Sequence, residues 1–199
     1  MRTHARWLTA GALTLAFGFW FLASAGSGAA ADDKGPREAI HKIADALEKG
    51  DTAAAKAQAK MVADKNELED VMHLFALRKV KGEGIGPKPG ANANQDGIEA
   101  KIMGLAKRVP PQELKSDAAA WQRAAYITAA IAEIAQHKCP VEKKTGEKDP
   151  AQWKKWTEEM HTSALDFAKA VKAGDAMAVK KAAGRLDGTC RSCHGVFRD

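Results

Sequence analysis

The sequence predicts an all-α four-helix bundle carrying one additional short helix and a Gly/Pro-rich loop insertion. Three observations carry that expectation. Ala, Lys, Glu and Leu abound against seven prolines and a single tyrosine, a composition that favours helix. Apolar residues recur at spacings of three and four, and no segment keeps a convincing period of two. The periodic segments are separated by Gly-Asp, Pro-Pro and Asp-Pro pairs, which start and stop helices.

The 199 residues, 45% hydrophobic and 28% charged, suit one globular domain. They exclude a disordered, collagen-like or multi-span membrane chain. The amino terminus reads as an export signal over residues 1–31. Arg2, His4 and Arg6 form a positive start, residues 7–31 carry no charge, and Ala29-Ala30-Ala31 offers the small residues a signal peptidase accepts. Cleavage after Ala25 is the second choice, and an uncleaved anchor is the competing reading of the same apolar stretch. The expected mature domain is residues 32–199, periplasmic or otherwise exported and free of the membrane after cleavage. Losing Arg2 and Arg6 lowers the formal charge of +6 to a mildly basic value. That is too weak to argue for nucleic acid.

Helices are expected in the following order. The first covers residues 36–49 with Ile40, Ile43 and Leu47 inward, closed by Gly50 and followed by Asp51 as the next N-cap. The second covers 52–79, with Met61, Leu68, Met72 and Phe75 as its inner stripe. A loop holding Gly82, Gly84, Gly86, Pro87, Pro89 and Gly90 follows. Its Gly-Glu-Gly-Ile-Gly run comes after a helix rather than a strand, so a nucleotide loop is rejected. A short helix over 97–108 (Ile98, Ile102, Leu105) stops at Pro110-Pro111.

Ser116 or Asp117 caps a long helix with Ala120, Ala124, Ile127, Ile131 and Ile134 on one face, ending near Cys139-Pro140. Asp149-Pro150 starts another, with Trp153, Trp156, Met160, Ala164, Phe167 and Val171 inward. After Gly174-Asp175 the last helix aligns Val179, Ala183, Leu186, Cys190, Cys193 and Phe197. The Gly-Asp turns at 50–51 and 174–175 echo one another, and two matched hairpins would pack as a pseudo-twofold bundle.

Cys190-Arg191-Ser192-Cys193-His194 carries the chemistry. This spacing is the attachment signature of c-type haem. On a helix the two cysteines lie one turn apart on one face, so both thiols can add to the vinyl groups of one porphyrin, and His194 can reach the iron from the same side. Three competing readings fit less well. A dithiol redox motif sits at a helix N-terminus in a strand–helix unit. A structural zinc needs further paired ligands. A disulfide between Cys190 and Cys193 is awkward within a helix.

With these residues the C-terminal stretch resembles the class II cytochromes c, the group of cytochromes c′ and their low-spin c556-like relatives. The resemblance rests on Asp149-Pro150-Ala151, on the run from Ala170 through Gly174-Asp175, and on the haem motif followed by Gly195-Val196-Phe197-Arg198. It covers roughly the last 50 residues. It implies a four-helix bundle, one covalent haem c on Cys190 and Cys193, His194 as proximal ligand, and Phe197 and Arg198 beside the cofactor. Two features depart from the family pattern. Where the family places a distal methionine early in its first helix, this register offers His41, and residues 80–111 are an insertion.

Helix levels rank the distal candidates independently. His194 lies 20 residues past Gly174, about 30 Å along a helix. Met72, 22 residues past Gly50, reaches a comparable level on the same stripe as Leu68 and Phe75. His73 is turned about 100° away, and His41 lies only nine residues before Gly50. Met72 therefore ranks first, His73 second and His41 third. A five-coordinate iron screened by Phe75, Trp153 or Trp156 is the alternative.

Cys139 has no partner once two thiols hold haem. It is expected as a half-buried free thiol, with an intermolecular disulfide, and so a homodimer, as the sharper reading. The expected activity is single-electron transfer between redox partner proteins, without enzymatic chemistry. The alternative is a five-coordinate haem protein that binds nitric oxide or carbon monoxide. A thiol–disulfide module is the third reading.

Overall fold

The computed structural model describes residues 35–198; the export signal expected over 1–31 lies outside the described residues. Eight α-helices follow one another: α1 (Arg37–Glu48), α2 (Thr52–Lys65), α3 (Leu68–Met72), α4 (Ile98–Lys107), α5 (Pro111–Ser116), α6 (Ala118–Ala135), α7 (Pro150–Ala173) and α8 (Ala176–Phe197). No strand occurs among the described residues. The fold is an all-helical bundle, as the periodicity requires.

Local chemistry places the hairpin turns. Gly50 adopts φ +78° and Gly174 φ +68°, left-handed positions that glycine occupies without a Cβ clash. Just past each glycine an aspartate caps the next helix. Asp51 accepts the Ala54 amide at 3.0 Å, and Asp175 accepts those of Met177 and Ala178 at 2.9 and 3.0 Å. Asp149 caps α7 through the Ala151 amide at 2.9 Å, with Pro150 at the first helical position.

The second helix is shorter than its periodicity suggests. It stops at Lys65 because Asn66 turns extended, with φ −128° and ψ 151°. The Asn66 side chain then donates to the Val62 carbonyl at 2.9 Å, alongside the Asn66 backbone amide at 3.0 Å. The chain restarts as α3 and continues through single 3-10 turns at His73–Phe75 and Arg78–Val80. This break resets the phase of the inner stripe. Val62, Ala63, Val71 and Leu74 are buried, while Met61 is 53% exposed. The short helix α5, which starts on Pro111, was not expected either.

The central helix is α6. Its one flank takes the α1–α2 hairpin and its other flank takes α7; α7 in turn packs on α8, and α8 on α4. The two hairpins therefore meet through α6 rather than closing directly on each other. Length explains this. With 12 and 14 residues, α1 and α2 reach about 18–21 Å, against about 33–36 Å for α8 and α7. The supposed insertion supplies the missing flank: α4 lies along the helix that bears the cysteines. Ile40, Ile43, Ile127, Ile131, Ile134 and Leu186 form the centre of the core, each at most 2% exposed.

The glycine-rich loop is built around one carboxylate. Asp96, 5% exposed, accepts Arg78 Nε at 2.7 Å and the amides of Ile85 and Gly90 at 2.8 and 3.1 Å. Arg78 in turn donates to the Gly86 carbonyl at 2.6 Å. Gly84 lies flat against the Arg78 guanidinium, where any Cβ would collide with it. That close approach accounts for a glycine there.

Candidate functional site

The last three turns of α8 bring Cys190, Cys193, His194 and Phe197 together. Cys190 packs against the hydrophobic core, Cys193 is half-buried, and the His194 imidazole is exposed, with no side-chain partner among the described residues. All three cysteines are free. The aromatic end of the helix is clamped. Phe197 meets Trp153 edge-on at 5.0 Å and Trp156 at 6.0 Å, the T-shaped geometry that ring quadrupoles favour. Trp153 donates its indole N–H to the Ala135 carbonyl at 2.8 Å, tying this end of α7 to the end of α6. Arg198 caps α8 by donating its amide to the His194 carbonyl at 3.2 Å, and its side chain is exposed.

Helices α7 and α8 are also pinned by charge. Arg185 reaches across to Glu159 at 2.7 Å and to Asp166 at 2.8 Å. These pairs fix the register that sets the thiols against their neighbours.

Burial dominates the electrostatics of the two thiols. It pushes Cys190 up to about 12, with Glu99 on α4, Cys193 and Asp187 adding to the rise. It pushes Cys193 up to about 11, with Cys139 adding. Both groups are neutral thiols at physiological pH. A dithiol exchange centre needs the opposite, a thiol made acidic by a cation or a helix N-terminus. Among the described residues no group of three or more His, Cys, Asp and Glu side chains converges as a bare metal site. Two neutral thiols one turn apart, beside a free imidazole, fit the two thioethers and one axial nitrogen that a c-type haem takes.

The three distal candidates lie in different settings. Met72 ends α3, half-buried and packed against the core. Glu67, just before α3, pairs with Lys138 at 3.8 Å, next to Cys139. The turn His73–Phe75 packs on α4. His73 is exposed and donates Nε2–H to the Val80 carbonyl at 2.7 Å. His41 is engaged on both nitrogens: Arg123 donates to Nδ1 at 2.9 Å, and Nε2–H points to Glu83 at 3.4 Å. Arg37 completes that network by pairing with Glu83.

Sequence reasoning did not single out Glu99, Lys101, Trp121 or Asp96. Trp121 was passed over beside an alanine-rich stripe, although a buried indole always raises the question of its N–H partner. Asp96, at the far end of a glycine run and before Gly97, had the placement of a loop organiser.

Residues 142–198 match the family model described as Cytochrome C'. No curated protein matches the chain, and no solved structure does. The chain thus matches the Cytochrome C' family over the region that carries both thiols, His194 and the Trp153–Phe197 contact, and the match supports a haem-binding cytochrome.

Proposed function

We propose that the chain is an exported monohaem c-type cytochrome that passes single electrons between redox partner proteins. The observation that carries this is the pair of free, neutral thiols on one face of α8, next to an exposed imidazole, inside the region that matches the family. Cys190 and Cys193 hold the cofactor through thioethers, His194 is the proximal ligand, and Phe197 braces the end of the helix against Trp153 and Trp156. When bound, haem supplies a one-electron iron couple whose potential depends on axial ligation and burial.

The chain's own part is to bind, shield and tune that group, so no enzymatic residue is assigned. Export is supported by the charge and Ala pattern of residues 1–31. Among the described residues no helix is long and apolar enough to cross a membrane.

Met72 is the distal ligand in this reading. His73 and His41 rank below it because each already has a hydrogen-bonded ring nitrogen. The same engagement favours one second reading: without Met72 the iron is five-coordinate and open to nitric oxide or carbon monoxide. The optical spectrum of the oxidised and reduced protein, with and without carbon monoxide, separates the two. Sharp low-spin bands, a methionine–iron band in the far red and no response to carbon monoxide are expected. A low-spin spectrum lacking that band moves the ligand to His73 or His41. A broad high-spin spectrum that shifts with carbon monoxide rules out Met72 ligation and establishes the gas-binding reading.

A further inference from the structure

Three segments meet at one indole. Trp153, at the start of α7, donates its N–H to the Ala135 carbonyl at the end of α6 at 2.8 Å, and its ring meets Phe197 at the end of α8 at 5.0 Å. Cys139 lies four residues past Ala135, and Cys193 lies four residues before Phe197, one turn back on the same helix face. Beyond α6 the chain turns tightly instead of running on, with the Lys138 amide on the Ala135 carbonyl at 3.1 Å. Cys139 and Cys193 are both half-buried free thiols, and Cys139 acts electrostatically on Cys193. Cys190, a turn further back, packs on the core and faces Glu99 and Asp187.

The two thiols differ in what holds them. Cys193 is fixed within α8. Cys139 sits in the loop between α6 and α7, where its Sγ–H donates to the Val141 carbonyl at 3.1 Å. Bringing Cys139 to bonding distance gives up that weak hydrogen bond and no helical turn. A bridge from Cys193 to Cys190 has to form inside the body of the helix, where the required dihedral angles are strained.

We propose that in the haem-free chain Cys139 and Cys193 form a disulfide that withholds Cys193 from haem attachment. The oxidant is a low-molecular-weight disulfide, RSSR, of the exported compartment. One thiol displaces RSH to give a mixed disulfide, and the other displaces the second RSH as the bond between the two cysteine sulfurs closes. The chain loses two electrons and two protons, and RSSR gains both in becoming two RSH. Burial keeps the Cys193 thiol protonated, so the step is slow and its extent follows the redox poise of the compartment. The consequence for loading rests on the haem and export readings above: reduction frees Cys193 for its thioether, and after attachment Cys139 can no longer close the bridge.

The test equilibrates the haem-free full mature chain with oxidised and reduced glutathione, blocks free thiols by alkylation and maps the bridges by peptide mass. Cys139–Cys193 should exceed Cys190–Cys193 by roughly tenfold or more, the margin that strain within a helix provides, and Cys190→Ser should retain the bridge. Oxidised wild type should then take up roughly tenfold less covalent haem than oxidised Cys139→Ser until a dithiol reductant is added. Bridging mainly between Cys190 and Cys193, a dimer linked through Cys139, or glutathione adducts alone would overturn the assignment. Equal haem uptake by the two oxidised proteins would overturn its withholding role. A bridge that forms as expected in a chain that takes up no covalent haem even when reduced would overturn the haem reading and uphold the bridge.

Discussion

At the scale of single residues, the pairing of buried Asp96 with the partly exposed Arg78 is the contact that organises the glycine-rich loop. One carboxylate holds a guanidinium and two loop amides at once. Removing the carboxylate leaves two loop amides and a partly exposed guanidinium without their acceptor, which costs about 1–3 kcal/mol. Asp96→Ala should lower the denaturant midpoint accordingly, with the loop over residues 81–97 losing hydrogen-exchange protection first. Unchanged stability would show that the loop is held by other means. Gly84→Ala should be similarly costly, because its Cβ falls on the Arg78 guanidinium.

Legibility at this scale followed chemistry rather than burial. The spacing of Cys190, Cys193 and His194 was legible because two thiols and an imidazole one turn apart on a helix form a local pattern. The capping aspartates Asp51, Asp149 and Asp175 were legible for the same reason: a cap is a local contact between neighbours in sequence. Asp96 and Trp121 were not, because their surroundings depend on groups from 6 to 18 residues away for Asp96, and on another helix for Trp121, that only folding brings near.

Among the elements, the pairing of α7 with α8 carries the site, and Phe197 closes its end. Phe197→Ala removes both edge-on ring contacts and should cost about 2 kcal/mol, less than a fully buried ring. The last two turns of α8 should lose protection before the rest of the helix. If they exchange as slowly as before, the aromatic clamp is not what holds His194 in place. The element boundaries also show where periodicity misleads. Residues 52–79 keep helical spacing throughout, yet Asn66 turns extended and ends α2 early, with its amide and its side chain both on the Val62 carbonyl. The stripe drawn through Met61 and Leu68 therefore crossed a break. The long helices α6, α7 and α8 matched their patterns, and the hydroxyls of Thr128, Thr157 and Thr189 bond carbonyls four residues back within them without ending them. The role of α4 was hidden for a different reason: nothing in a ten-residue helix states that it will flank α8.

For the molecule as a whole, pH separates the haem-free form from the loaded one. Burial holds the Cys190 and Cys193 thiols up at about 12 and about 11, above their ordinary value of 9.0. The unfolded chain therefore ionises first. Haem-free protein is fully stable, in this respect, below pH 9.0 and should lose stability steadily from there to about pH 12. Thioether formation removes both titrations, so the loaded protein should lack that alkaline loss. Thermal midpoints across this range check the contrast, and equal slopes for the two forms would contradict it.

On the acid side the loss is common to both forms. Burial lowers His161 below its ordinary 6.5, and the Lys56 charge adds while Glu133 opposes. Burial raises Glu83 and Asp96, but it is outweighed. The His41 hydrogen bond and the Arg37 charge hold Glu83 below 4.5, and the Arg78 and amide hydrogen bonds hold Asp96 below 3.8. Each depressed group contributes stability above its ordinary pKa that is lost as pH falls through its folded value. Midpoints should decline below about pH 6.5 through His161, and more steeply below about pH 4.5 as the two carboxylates protonate.

The most direct test of the central claim is the intact mass of the protein exported from cells equipped with haem-attachment machinery, compared with Cys190→Ser and Cys193→Ser. The account predicts that the wild type carries the mass of one haem, retained through denaturation, and that the double substitution carries none. A wild-type chain that arrives at the mass of the polypeptide alone, or that sheds its haem on denaturation, would contradict it.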